Sequence, residues 1–342
     1  MLAEVAVTAG KLVVIAVGML TMVPVMVWVE RRGAAFIQDR LGPNRVGPLG
    51  LFQPVIDAVK LLFKEDITPA AANRGLYYLA PMISMFVALV TFIVIPFGSG
   101  QDLTVFGVPL EGLMVAPDLN VGVLYLLALS SLAVYGIVLA GWSSNNKYSL
   151  LGGLRSSAQL ISYELSMTLA VLGVLLATGS LHLGDVVTYQ AIHVWNVIPQ
   201  IVGFLVFATA VFAETNRLPF DLAEAETELV AGYHVEYSSM KFAAFFMSEY
   251  INMVTASALI VTLFFGGWSL PFVHLTGWLG LIVSVAVFGA KVTFFLWVFV
   301  WVRWSLPRFR YDQLMQLGWK GLLPLATLNL VWVAVAVTMR WI

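Results

Sequence analysis

Eight stretches of nearly unbroken apolar sequence, each close to the length that crosses a bilayer, constrain this chain more than any other feature. They cover residues 12–29, 76–97, 121–142, 160–178, 198–213, 242–265, 279–302 and 322–339. A hydrocarbon core of roughly 30 Å takes about 20 apolar residues in helical form. Lipid offers no hydrogen bonds to an open backbone, so such runs must form helices or a closed barrel. Their length and continuity select helices. Composition agrees: 60% of the 342 residues are apolar and 11% are charged, against about a quarter charged in soluble domains. The sequence predicts an all-α integral membrane protein of about eight transmembrane helices, in a single domain over residues 1–342. The first run ends in Glu30-Arg31-Arg32 rather than in small residues, so the amino terminus reads as a first helix and not as a cleavable signal.

The basic residues test this layout independently. Run one is followed by Arg31, Arg32, Arg40, Arg45, Lys60, Lys64 and Arg74, run three by Lys147 and Arg155. Run five is followed by Arg217 and Lys241, run seven by Arg303, Arg308, Arg310 and Lys320. That makes fifteen, and the three intervening segments hold none. The positive-inside rule then assigns segments 30–75, 143–157, 214–241 and 303–320 to the cytoplasm and both termini to the outside.

Three features go beyond plain membrane spans. Between Gly47 and Lys64, the residues Phe52, Val55, Ile56, Val59, Leu62 and Phe63 share one helical face, while Gln53, Asp57, Lys60 and Lys64 share another. This spacing predicts a cytoplasm-side amphipathic helix lying at the membrane surface. It either anchors the loop or lines an entrance for a lipid-soluble molecule. The segment from Glu214 to Glu236 holds Glu214, Asp221, Glu224, Glu226, Glu228 and Glu236, six of the chain's 19 acids, against one base, Arg217. Close carboxylates titrate as a coupled set, which suits proton handling; a solvated acidic face is the alternative. Interleaved Leu218, Phe220, Leu222 and Leu229 favour the first. Finally, Glu164, Glu249 and Lys291 fall inside apolar runs, where each charge would cost at least about 2.5 kcal/mol at a helix centre. Ser248, Glu249, Asn252 and Thr255 make a polar stripe that should face protein. The two readings are a structural Glu249–Lys291 pair and a relay of carboxylates.

Redox chemistry on the chain itself is not supported. With no cysteine, thiolate metal sites and cysteine-held iron–sulfur clusters are excluded. The four histidines, His182, His193, His234 and His274, lie in segments between runs, not on facing membrane helices as a bis-histidine haem needs. Neither a glycine-rich nucleotide fingerprint nor a His-Glu-x-x-His motif is present. Any electrons must come from a partner.

Three motifs carry a family resemblance that runs essentially end to end. Residues 214–232 read Glu-Thr-Asn-Arg-Leu-Pro-Phe-Asp-Leu-Ala-Glu-Ala-Glu-Thr-Glu-Leu-Val-Ala-Gly, which closely resembles the hallmark loop of the H-type membrane subunit of respiratory complex I. That family includes the mitochondrially encoded first subunit of NADH dehydrogenase. Glu30-Arg31-Arg32 with Gly42-Pro43-Asn44, Gln53-Pro54 and residues 57–61 is similar to the family's first cytoplasmic loop, and residues 307–314 to its last.

The resemblance implies a subunit of a proton-translocating NADH:quinone oxidoreductase in a bacterial cytoplasmic (inner) membrane. In this family the subunit forms a quinone cavity with peripheral-arm subunits that carry FMN and iron–sulfur clusters, and it adjoins antiporter-like membrane subunits. Quinone is the substrate, and no cofactor is held by this chain. The matching cavity positions are Glu30, Arg31, Asp57, Phe220 and Arg303. Asp221, Glu224, Glu226 and Glu228 match the acidic loop that responds to quinone, and Glu164, Glu214 and Glu249 match the route that carries charge onward. Relatives in complexes fed by other electron donors share these features. An ion transporter and a purely structural anchor are the readings from other classes.

Overall fold

The computed structural model describes residues 2–99, 103–105, 107–110, 113–116, 119–222, 230, 232–270 and 277–341. Helices follow one another as α1 (Leu2–Ile37), α2 (Gln53–Phe63), α3 (Arg74–Val90), α4 (Gly122–Ser143) and α5 (Lys147–Thr178). Then come α6 (Leu183–Ile192), α7 (Ile201–Glu214), α8 (Ser239–Phe264), α9 (Gly277–Ser305) and α10 (Tyr311–Thr338). A two-residue antiparallel ribbon pairs Thr104–Val105 with Val108–Pro109.

Among the described residues, seven helices are long and apolar enough to cross a membrane: α1, α3, α4, α5, α8, α9 and α10. The fifth run gives only α7, an apolar helix of 14 residues, about 21 Å long at 1.5 Å per residue. The shortfall has a local cause. Pro199 and Gln200 sit in a turn before the helix, which Asn196 anchors by donating its Nδ2 to the Leu263 carbonyl at 2.9 Å. The Gln200 amide reaches the Gly173 carbonyl at 3.4 Å.

At the other extreme, α1 has 36 residues, roughly 54 Å of helix, so Glu30, Arg31 and Arg32 are helical and not part of a loop. In α10 a π-helical segment, Leu317–Leu322, precedes Pro324. Proline has no N–H to donate into the preceding turn, so the regular ladder cannot continue unchanged there.

The bundle is organised around α8, whose most apolar window is 72% buried, against 17% in α1. It packs on α1, α3, α6, α7 and α9, while α5 packs on α4, α7 and α10. Val13, Val14, Phe86, Leu124, Ile161, Leu205, Ile282 and Leu328 point outward, as expected of helices solvated by lipid.

Close approach at the start of α5 requires small residues. A Cβ on Gly152 would sit 2.7 Å from Gly232 Cα and 2.9 Å from the Tyr233 nitrogen, and Ser149 donates to the Tyr233 carbonyl at 2.8 Å. Backbone cannot yield as a flexible side chain can. Gly152→Ala is therefore expected to destabilise the protein by about 1–3 kcal/mol, read as a lower unfolding temperature in detergent. An unchanged midpoint would mean that this contact relaxes freely.

Candidate functional site

The cytoplasmic end of α1 presents a buried acid with three polar neighbours from three other segments. Arg303, near the end of α9, pairs with Glu30 Oε1. Arg217, in the segment after α7, places Nη1 3.4 Å from Glu30 Oε2, and the Tyr250 hydroxyl of α8 donates to the same oxygen at 2.6 Å. The Arg217 guanidinium also lies over the Tyr250 ring, 4.3 Å from its centroid. Burial opposes a charge on Arg217. Glu30, Tyr250 and Glu249 more than offset that, so its pKa stands above the ordinary arginine value.

Glu249 and Tyr250 are successive residues on α8, so their side chains diverge around the helix. Tyr250 enters the Glu30 cluster, while Glu249 lines an internal cavity of about 100 Å³. That volume holds several waters, each needing about 10–15 Å³ by the same measure. Glu164 of α5 and Glu214 of α7 line the same cavity, together with Ser130 of α4 and Ser248, Asn252 and Thr255 of α8. The polar stripe on α8 thus faces protein, as its spacing predicts. Ser131 donates to Glu164 Oε1, and the neighbouring Ser130 lines the cavity with Glu214, which feels the charge of Glu164. Carboxylates this close in a low-dielectric space are costly to ionise together. The structure therefore brings together Glu164, Glu214 and Glu249, which lie on three different helices.

The start of the acidic segment is pinned rather than solvated. Gln159 of α5 donates its amide to the carbonyls of Ala213 and Phe220, at 2.9 and 2.8 Å. Phe220 is buried against Tyr163 and Phe309, with ring centroids at 5.4 and 5.5 Å. Asp221 pairs with Arg308 at 2.8 Å, and the Phe309 N–H donates to the Pro219 carbonyl at 3.1 Å. Glu224, Glu226 and Glu228 lie outside the described residues. At the far end of the segment, Glu236 accepts from Asn146 at 2.6 Å. Burial pushes the neighbouring Tyr237 phenol up to about 12, so it remains a neutral donor to the Tyr77 carbonyl at 3.1 Å.

The amphipathic helix forms as its spacing predicts. Its Asp57 pairs with Arg31 of α1 at 2.5 Å and accepts from Gln53 at 3.1 Å. Val55, Val59, Leu62 and Phe63 remain exposed.

Lys291 departs from the pairing considered for it. Its Nζ donates to the carbonyls of Phe265, Gly267 and Ser269 at 2.8, 2.9 and 2.8 Å, where a cation complements a helix C-terminus. Those carbonyls begin 16 residues beyond Glu249, about 24 Å along α8. The Glu249–Lys291 pair is excluded.

Arg217, Tyr250 and Arg308 complete the site, and none of them carries a site role on sequence grounds alone. Arg217 has a signal, as the lone base in an acidic segment. Tyr250 has only its position beside Glu249.

Among the described residues, no group of three or more His, Asp or Glu side chains is placed to hold a metal ion. Fold and site together define a polytopic membrane protein with buried carboxylates that are held by hydroxyls, arginines and an internal cavity. Comparison with known proteins makes this specific. The NADH dehydrogenase family model matches residues 10–334. The chain is 54% identical over 304 residues to the H-type subunit of NADH-quinone oxidoreductase from Leptospira biflexa serovar Patoc, covering 86% of this chain and 85% of that one. It is 52% identical over 335 residues to NADH-quinone oxidoreductase subunit 8 of Rhodothermus marinus, covering 94% of each. To the H-type subunit from Bdellovibrio bacteriovorus it is 46% identical over 366 aligned positions, covering 96% of this chain and 95% of that one. The chain belongs to the NADH dehydrogenase family, the family of these NADH-quinone oxidoreductase membrane subunits.

Proposed function

We propose that this chain is the membrane subunit of a proton-translocating NADH:quinone oxidoreductase, forming the quinone cavity with peripheral-arm subunits and coupling quinone reduction to proton movement. The observation that carries this reading is the shared cavity of Glu164, Glu214 and Glu249, one residue along α8 from the Glu30 cluster. The family assignment supplies the substrate.

In this reading the quinone enters laterally past α2, with Glu30, Arg31, Asp57, Phe220 and Arg303 around the cavity and its entrance. Two electrons arrive from an iron–sulfur cluster of a partner subunit, and two protons complete the quinol. The change of charge acts on the acidic segment through Asp221, Glu224, Glu226 and Glu228. Arg217 transmits it, since its guanidinium is held by Glu30 and Tyr250 and feels Glu249. Protons then redistribute among Glu214, Glu164 and Glu249, toward the antiporter-like subunits. Both termini lie outside, and the membrane is the bacterial cytoplasmic membrane.

The test is purification of the tagged chain from its native membrane in mild detergent. Co-purification of flavin- and iron–sulfur-bearing subunits with NADH:quinone reductase activity is expected. Recovery of the chain alone, moving ions down a gradient in liposomes, would replace this reading with a transporter.

A further inference from the structure

The entry to α8 contains a residue that helix energetics do not explain. Lys241 is the third residue of α8, where the positive end of the helix dipole disfavours a cation. Its side chain is only 8% exposed, and a buried ammonium persists only when it is paired. The pairing is extensive. Nζ lies 2.8 Å from Asp66 Oδ1 and donates to Thr68 Oγ1 at 2.8 Å. It also stands over the rings of Tyr77 and Tyr78, at 4.8 and 4.6 Å.

All of the ionic and hydroxyl contacts go to the strand of chain that leaves α2. Two serines just before Lys241 hold that same stretch and the last turn of α2. The Ile67 N–H donates to Ser238 Oγ at 3.0 Å, and Ser239 Oγ donates to the Leu61 carbonyl at 2.9 Å. Ser239 adopts a left-handed φ of 54°, a conformation that costs a non-glycine residue energy, so local preference did not choose this geometry. The near end of α2 is held separately by Arg31–Asp57. Its apolar face is exposed, so its tilt rests on its contacts with α1 and with the start of α8 and not on a core of its own. On the other side, Tyr237 stacks on Tyr77 at 4.1 Å, and the Tyr77 hydroxyl donates to the Glu236 carbonyl at 2.5 Å. One junction therefore joins the far end of α2 to the end of the acidic segment.

We propose that Lys241 is a positioning residue whose clasp on Asp66 and Thr68 fixes the far end of α2 and thereby sets how readily a long-tailed quinone passes beneath it. This rests on the reading that α2 borders the quinone entrance. Lys241 touches no substrate. It acts by holding a surface helix that has no core of its own.

The experiment measures steady-state quinone reduction by the intact complex in proteoliposomes, with a long-isoprenoid quinone and with a short-chain soluble analogue. Lys241→Met is expected to raise KM for the long-tailed quinone about fivefold, the scale of one lost ion pair. The kcat and the KM for the short analogue should stay at wild-type values. Asp66→Asn, at a half-exposed side chain where folding tolerates the change, should shift KM in the same direction by a smaller factor. Assembled Lys241→Met and Asp66→Asn complexes with unchanged KM for the long quinone, or with equal losses on both quinones, would overturn the clasp. If Lys241→Met fails to assemble, Asp66→Asn alone decides. A wild-type complex that reduces no quinone would instead sink the underlying reading of the site, and the clasp with it.

Discussion

Glu164→Gln is expected to leave the complex assembled and to lower proton pumping coupled to quinone reduction about tenfold or more. The substitution preserves shape and the hydrogen bond from Ser131, but it fixes the site as neutral. In the native protein Glu164 shares a cavity with Glu214 and Glu249, so the charge on one bears directly on the others. A unit charge felt at about 5 Å through an effective dielectric of about 20 is worth about 3 kcal/mol. That is roughly a hundredfold in a proton equilibrium, ample to bias where the next proton resides. The measurement is the number of protons moved per electron in proteoliposomes, with native gels reporting assembly. Full pumping in an intact variant complex would remove Glu164 from the mechanism.

Glu30→Gln should have the second large effect, and by a different route. It removes the countercharge shared by Arg217 and Arg303 and leaves two guanidinium groups facing one neutral amide. Breaking a buried pair from one side costs about 3 kcal/mol or more. Reduced yield of assembled complex and loss of quinone reductase activity are expected. Adding Arg217→Met to Glu30→Gln should recover part of the yield, because the orphaned buried charge is then gone. The check is the assembled fraction and its unfolding temperature. Equal stability of Glu30→Gln and wild type would mean that the cluster is hydrated and carries no such penalty.

Much of the fold is legible because the bilayer imposes a length and an apolarity that local sequence must obey. Seven of the eight runs emerge as full-length helices for that reason. The fifth does not, because Pro199 lies within the apolar run and turns the chain before α7 begins. The end of α1 escapes a sequence reading for the opposite reason. Glu30-Arg31-Arg32 looks like the start of a loop to any hydropathy window. Yet the helix continues, because distant residues neutralise it: Arg217 lies 187 positions away from Glu30 and Tyr250 lies 220 away. No local pattern reports such a partner.

The same limit governs the site. Glu164, Glu214 and Glu249 stand out because acids are expensive in apolar runs and beside them, and the amphipathic face of α2 stands out by its period. What faces each acid does not. Lys291 reads as the natural counterion for Glu249 until the structure places it on carbonyls just past the end of α8. Asp221, grouped by sequence with the proton-handling acids, sits in an ion pair with Arg308 that docks the chain after α9 onto the acidic segment, a partner that no local spacing reports.

The most direct measurement is redox-triggered infrared difference spectroscopy of the intact complex, comparing wild type with Glu164→Gln. On quinone reduction, wild type should show a carboxylic C=O stretching change that shifts in deuterated water, and the variant should lose part of that signal. A wild-type difference spectrum with no carboxyl band, or one identical in the variant, would contradict the coupling of quinone chemistry to the acids that line this cavity.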